Sequence, residues 1–158
     1  MASPPAFEID ETARYEVTIA TDKGDIVLEL DPKLAPNSVN NFVALARQGF
    51  YDGVTFHRVV PDFVIQAGDP EGSGRGGPGY RFPDEPVQGE YTHGAVAMAN
   101  AGPDTNGSQF FICIDDCTRK LDKAYNLFGY VTSGLEVTGQ IRQGDVMRSV
   151  TVAEKPAG

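Results

Sequence analysis

At 158 residues, with 41% hydrophobic and 22% charged side chains, the chain has the make-up of one soluble globular domain with a sizeable core. Its formal net charge of −9 argues against nucleic acid or an anionic membrane as a main partner, since both repel an acidic surface. The 18 glycines and 11 prolines are many for a helical protein and predict numerous turns between short strands.

Residues 1–14 open with MASPPAFEIDETA, acidic and proline-containing, and read as a loosely ordered arm from which Phe7 and Ile9 can dock on the body. A single folded unit is expected over 15–158. The first residues carry no basic group and no apolar run, so no secretory signal is expected, and no stretch approaches the length of a bilayer span. A cytoplasmic protein follows from that reading. The two cysteines, Cys113 and Cys117, are too few for a disulfide framework and fit neither CxxC nor a zinc ribbon, so both read as reduced thiols. With His57 and His93 as the only histidines, no metal site is expected.

Residues 15–20 alternate as a strand, Thr21-Asp22-Lys23-Gly24 supplies a turn, and 25–30 return antiparallel. A helix is predicted from Asn37 or Ser38 to Arg47, either residue serving as its cap, with Gly49 closing it. Its apolar positions Val39, Phe42, Val43 and Ala46 follow the spacing of one buried stripe. Residues 54–60 and 63–66 form a hairpin about Pro61-Asp62, followed by an irregular loop over 70–80. Further strands are predicted over 96–100, 109–114, 126–131 and 146–152, with a second short helix over 134–142. Many antiparallel strands with two helices point to a β-barrel or sandwich with helical caps.

Arg58 is the odd residue of the central hairpin, a permanent cation in an apolar, β-branched run. Alternation puts it on one face with Phe56 and Val60, and Gln66 on one face with Val64; folding the hairpin brings Arg58 and Gln66 to the same surface. A guanidinium against apolar neighbours is costly without a polar partner, so it either snorkels to water from an edge strand or stands ready for a ligand. In the strand 109–114, alternation assigns Phe110, Ile112 and Ile114 to the core and Gln109, Phe111 and Cys113 to the other face. Together these residues describe a groove with an apolar floor of Phe63, Val64 and Phe111, bordered by the donors Arg58, Gln66 and Gln109. It holds no nucleophile, metal or acid–base pair. It suits binding and polarising an uncharged group such as a peptide.

Other motifs carry less. His57 is expected to face away from Arg58 as a hydrogen-bonded core histidine. Residues 74–79, GRGGPG, satisfy the GxGxxG pattern, but Tyr80-Arg81-Phe82-Pro83 does not suit the helix a phosphate site needs. Asn106-Gly107-Ser108 reads as a tight turn, and Ser108 lies in no GxSxG elbow.

Residues 50–58 (FYDGVTFHR), 66–69 (QAGD), 98–103 (MANAGP) and 105–112 (TNGSQFFI) resemble the cyclophilins, a family of peptidyl-prolyl cis/trans isomerases, and the glycine-rich loop is most similar to bacterial members. The resemblance implies a mainly β fold, a closed eight-stranded antiparallel barrel capped by two α-helices, with the active groove on its outer wall and no cofactor. It implies Arg58 as the catalytic arginine and Gln66 as the residue that orients it. Phe63, Val64, Phe111 and Leu121 would line a proline pocket, and Tyr125 would cover it. The Asn100 backbone and Gln109 would hold the peptide, while Ala101, Thr105 and Ser108 would border a neighbouring pocket for the residues before proline. The implied substrates are proline-containing peptides and unfolded or flexible protein segments, handled by a monomer that assists folding. Val64 stands where methionine is usual, Tyr125 where many members have histidine, and Lys120 where a tryptophan supports tight cyclosporin binding. Weak cyclosporin affinity is the expectation. The competing readings are a proline-recognition or chaperone module, in which isomerisation is incidental, and a glycine-loop nucleotide binder.

Overall fold

The computed structural model describes residues 3–156. Period-two alternation builds the first hairpin, β1 (Arg14–Thr21) against β2 (Gly24–Leu30), and sends Tyr15, Val17, Ile19, Ile26, Leu28 and Leu30 fully into the interior. The remaining strands are β3 (Phe56–Val60), β4 (Val64–Ala67), β5 (Ala95–Met98), β6 (Phe110–Cys113), β7 (Leu127–Ser133) and β8 (Ser149–Lys155). They form one antiparallel sheet in the order β3-β4-β6-β5-β7-β2-β1-β8.

The sheet curls without closing, which corrects the expected closed barrel. β3 and β8 are its two ends and share no ladder. The segments just before them are joined by a single bridge from Thr55 to Val146 and by four backbone bonds between residues 53–56 and 144–147, and the Val150 N–H donates to the Asp52 carboxylate. Gly53 and Gly144, with φ of 81° and 96°, turn the chain at this seam, so the pairing stops there. The result is a curled half-barrel with eight strands.

Helix α1 (Pro36–Arg47) buries Val39, Phe42, Val43 and Ala46, as its spacing predicts. Its cap differs from expectation. Pro36 takes the first helical position, which its missing N–H and fixed φ suit, so Asn37 and Ser38 fall inside the first turn. Glu85 does the capping from a distant segment: its carboxylate accepts from the Asn37 N–H at 2.9 Å, the Ser38 N–H at 2.8 Å and the Ser38 hydroxyl at 2.7 Å. Helix α2 (Leu135–Thr138) is one turn long, shorter than predicted, because Gly139 offers poor helix propensity and ends it. Near the amino terminus, Asn40 on α1 accepts from the Glu8 and Ile9 N–H groups and donates to the Ala6 carbonyl; Ile9 is buried and Phe7 exposed.

Apolar side chains gather on both faces of the sheet. Inside the curl, Phe42 stacks on Tyr51 at 4.8 Å and meets Phe110 edge-on at 5.1 Å. A smaller cluster outside it contains Val64, Ala97, Phe111, Cys113, Cys117 and Leu127, with Phe63, Leu121 and Tyr125 packed against it. This second cluster floors the site described next. Among the described residues no helix is long and apolar enough to cross a membrane.

Candidate active site

The site begins with a break in the β3–β4 register. Phe56 pairs with Ala67 and Arg58 with Gln66, so the ladder shifts between Phe56 and Arg58 and His57 is the extra residue of a bulge. Strict alternation would place Arg58 beside Phe56. The bulge instead leaves Phe56 fully buried in the interior core and turns Arg58 outward, exposed, opposite Gln66. The shared face predicted for Phe56 and Arg58 is thereby corrected. So is the core histidine: His57 is half-buried at the edge of the groove, and its ring nitrogens make no hydrogen bond among the described residues. Burial pulls the imidazole below the usual histidine range, favouring its neutral form.

Beside Arg58 lies a hollow of about 470 Å³. The sequence-selected residues Arg58, Phe63, Val64, Gln66, Asn100, Phe111, Leu121 and Tyr125 all line it. Across β4 and β6, Val64 pairs with Cys113 and Gln66 with Phe111, two rungs apart, so these four side chains share the outer face. The Tyr125 ring meets Phe111 edge-on at 5.5 Å, and the Tyr91 hydroxyl, donating to the Tyr125 carbonyl and accepting from its N–H, holds it there. Lys120 does not line the hollow; its ammonium donates to the Asp62 carbonyl at the β3–β4 turn and faces Asp115 at 3.7 Å.

Three side chains form a polar chain along the rim with its direction set. Gln109 donates from Nε2 to the carbonyls of Gly74 and Gly76, each at 3.0 Å. Its Oε1 therefore accepts from Gln66 Nε2 at 3.0 Å, and Gln66 Oε1 accepts from Arg58 Nη1 at 3.2 Å. The glycine-rich loop thus anchors the amide that orients the guanidinium. No carboxylate lies within ion-pair distance of Arg58 among the described residues, so its charge is directed to the groove.

That loop is itself tied to Asp69, which is almost fully buried. Burial alone would raise its carboxyl, but the N–H groups of Glu71, Gly76 and Gly74 and the Ser73 hydroxyl more than offset this and hold it at about 2. Sequence reading assigned Asp69 no role; a carboxylate directly before a run of glycine and serine is the signal that marked it. The loop continues into an extended Tyr80–Phe82 stretch, and Phe82 bridges to Asn106. No helix follows, and the loop N–H groups of Glu71, Ser73 and Gly74 already donate to Asp69, so the GxGxxG pattern offers no open N–H array to a phosphate. Asn106 is buried as a strut, donating to the Phe82 carbonyl and Asp84.

A second hollow, of about 740 Å³, adjoins the first and shares Gln66, Gly74, Ala99 and Asn100 with it. Ala101, Thr105, Ser108 and Gln109 line it, as do Arg75, Tyr80 and Arg81, which sequence reading passed over. Several side-chain groups here are committed to the scaffold. The Thr105 hydroxyl accepts from the Ala101 N–H and donates to the Gly102 carbonyl, the Ser108 hydroxyl donates to the Gly68 carbonyl, and the Asn100 amide donates to the Ala124 carbonyl.

Residues 16–157 match the family model described as cyclophilin type peptidyl-prolyl cis-trans isomerase/CLD. The chain belongs to this family. This cyclophilin is 50% identical over 137 residues to a peptidyl-prolyl cis-trans isomerase of Helicobacter pylori, covering 84% of this chain and 83% of the relative. It is 50% identical over 133 residues to peptidyl-prolyl cis-trans isomerase B of Bacillus subtilis, covering 83% and 92%. Its fold matches a crystal structure of a Cryptosporidium parvum cyclophilin in the presence of the dipeptide Ala-Pro, with a TM-score of 0.80, 32% identity and coverage of 87% and 98%. The cyclophilin is accordingly a peptidyl-prolyl cis-trans isomerase, with the outer groove as its candidate active site.

Proposed function

We propose that Arg58 carries the catalysis by non-covalent electrostatics, with the prolyl ring held in the hollow over Val64 and Phe111. The observation that supports this is a guanidinium without a carboxylate partner among the described residues, oriented by Gln66 at the rim of an apolar floor. A peptide bond resists rotation by about 18–20 kcal/mol because its nitrogen lone pair is shared with the carbonyl. As the bond twists, that nitrogen pyramidalises and regains its lone pair. A fixed cationic donor then meets an acceptor that the planar ground state lacks. One preorganised donor of this kind contributes about 3–4 kcal/mol, or 10²–10³ in rate. The hollow grips the ring while backbone contacts at Asn100 and the Gln109 side chain hold the preceding residues.

The substrates on this reading are proline-containing peptides and flexible protein segments, and the biological role is assistance to folding. The relative crystallised in the presence of Ala-Pro supports that substrate class. Cyclosporin binds weakly, because residue 120 offers an ammonium turned to the neighbouring turn where an indole would give apolar surface and a donor. The decisive measurement is cis/trans exchange on an Ala-Pro peptide by NMR. Arg58→Ala is expected to lower turnover by about 10²-fold or more, with an unchanged circular dichroism spectrum and melting temperature. Near-normal turnover in that variant overturns the assignment.

A further inference from the structure

The second hollow carries a charge pattern that rotation about a prolyl bond does not require. Of the 13 lysines and arginines, six lie within ion-pair distance of a carboxylate. Arg58, Arg75 and Arg81 are among those without such a partner among the described residues, and all three line the joined hollows. Among the described residues, no aspartate or glutamate lines either one. The acidic groups of the loop do not cancel this charge. Asp69 lies beneath the loop, engaged by backbone N–H groups, and Glu71, beside Gly76, is not within ion-pair distance of Arg75. A chain of net charge −9 thus keeps exposed, unpaired cations at the mouth of one groove.

Geometry relates this mouth to a definite substrate position. In an extended peptide, side chains alternate faces at about 3.3 Å per residue, so the residue two before proline shares the ring's face. With the ring in the first hollow, that side chain would lie toward the second, past Gln66 and Asn100, which line both. A guanidinium there presents a planar fork of donors that matches a carboxylate.

We propose that Arg75 and Arg81 make this isomerase select prolines preceded, two residues earlier, by an acidic side chain. The inference rests on the placement of the prolyl ring beside Arg58. Isomerisation of Ala-Xaa-Ala-Pro-Phe peptides with glutamate, glutamine or lysine at Xaa tests it. For the native chain kcat/KM is expected to fall in that order, by about fivefold from glutamate to lysine, as two exposed charge contacts allow. The ratio should shrink toward one in about 0.5 M salt, and in an Arg75→Ala/Arg81→Ala double variant. Equal turnover of all three peptides by the native chain, or an unchanged ratio in the double variant, overturns the charge preference and leaves the isomerase reading intact. Turnover of none of the three overturns both.

Discussion

A cation and an acid, Arg58 and Asp69, sit at opposite ends of one chain of hydrogen bonds, and each is kept charged for a different reason. Arg58 is exposed and permanently protonated, so it needs only orientation, which Gln66 supplies. Asp69 is buried, and its charge survives because loop donors hold its pKa at about 2, below the ordinary aspartate value. A carboxyl whose folded pKa is depressed contributes stability that is complete above its unfolded value near 3.8 and is lost as pH falls toward 2. The native protein should therefore lose melting temperature steeply between about pH 4 and pH 2. Asp69→Asn should be less stable at neutral pH and show a shallower decline over that window, which calorimetry across pH reads directly. An equally steep acid limb in the variant would show that other carboxyls govern it. At residue 120 the expectation concerns a ligand: Lys120→Trp should bind cyclosporin more tightly than the native chain by titration calorimetry. Equal tight binding by both would remove Lys120 from the explanation.

Among the elements, α1 depends on a partner outside itself. Its first turn leaves N–H donors that Asn37 and Ser38, lying within the helix, do not cap, and Glu85 accepts from two of them and from the Ser38 hydroxyl. The carboxylate also complements the positive end of the helix dipole. Glu85→Ala should cost about 1–2 kcal/mol in chemical denaturation, and Glu85→Gln should recover part of that loss. A neutral effect would mean that water satisfies the same donors equally well. The β3–β4 pair shows a second dependence, since one extra residue at His57 decides which way Arg58 points. Without that bulge the guanidinium would follow Phe56 into the apolar interior, where an unpaired charge is not tolerated.

For the whole molecule, the open seam is the weakest closure of the curl. The segments leading into β3 and β8 meet through four backbone bonds and one bridge, with Val146 exposed there, whereas β1 pairs with the whole of β2. The amides of Gly53, Phe56, Gly144 and Met147 should therefore exchange with solvent by local opening, faster than those of β1 and β2, which require global unfolding. Native-state hydrogen exchange would show this as two tiers of protection; uniform protection would argue for a closed barrel in solution.

Much of this architecture was legible from local pattern. Alternation placed the eight strands, the last of them three residues too early, since period two with β-branched and aromatic residues is a local property, and the stripe Val39, Phe42, Val43, Ala46 marked the buried face of α1. The division of β6 into Phe110 and Ile112 inside, Phe111 and Cys113 outside, also followed from alternation, and it located the groove floor. Other features needed contacts between residues far apart in the chain. Glu85 reaches a helix 47 residues away, and Gln109 anchors a loop more than 30 residues earlier. The outward turn of Arg58 and the gap between β3 and β8 depend on register, which the pairing of whole strands sets. Composition and periodicity act through neighbours along the chain and so determined the elements and the groove's residue types. Register, capping at a distance and the meeting of sheet edges are energies of segments that only folding brings together, and the tertiary structure alone decided them.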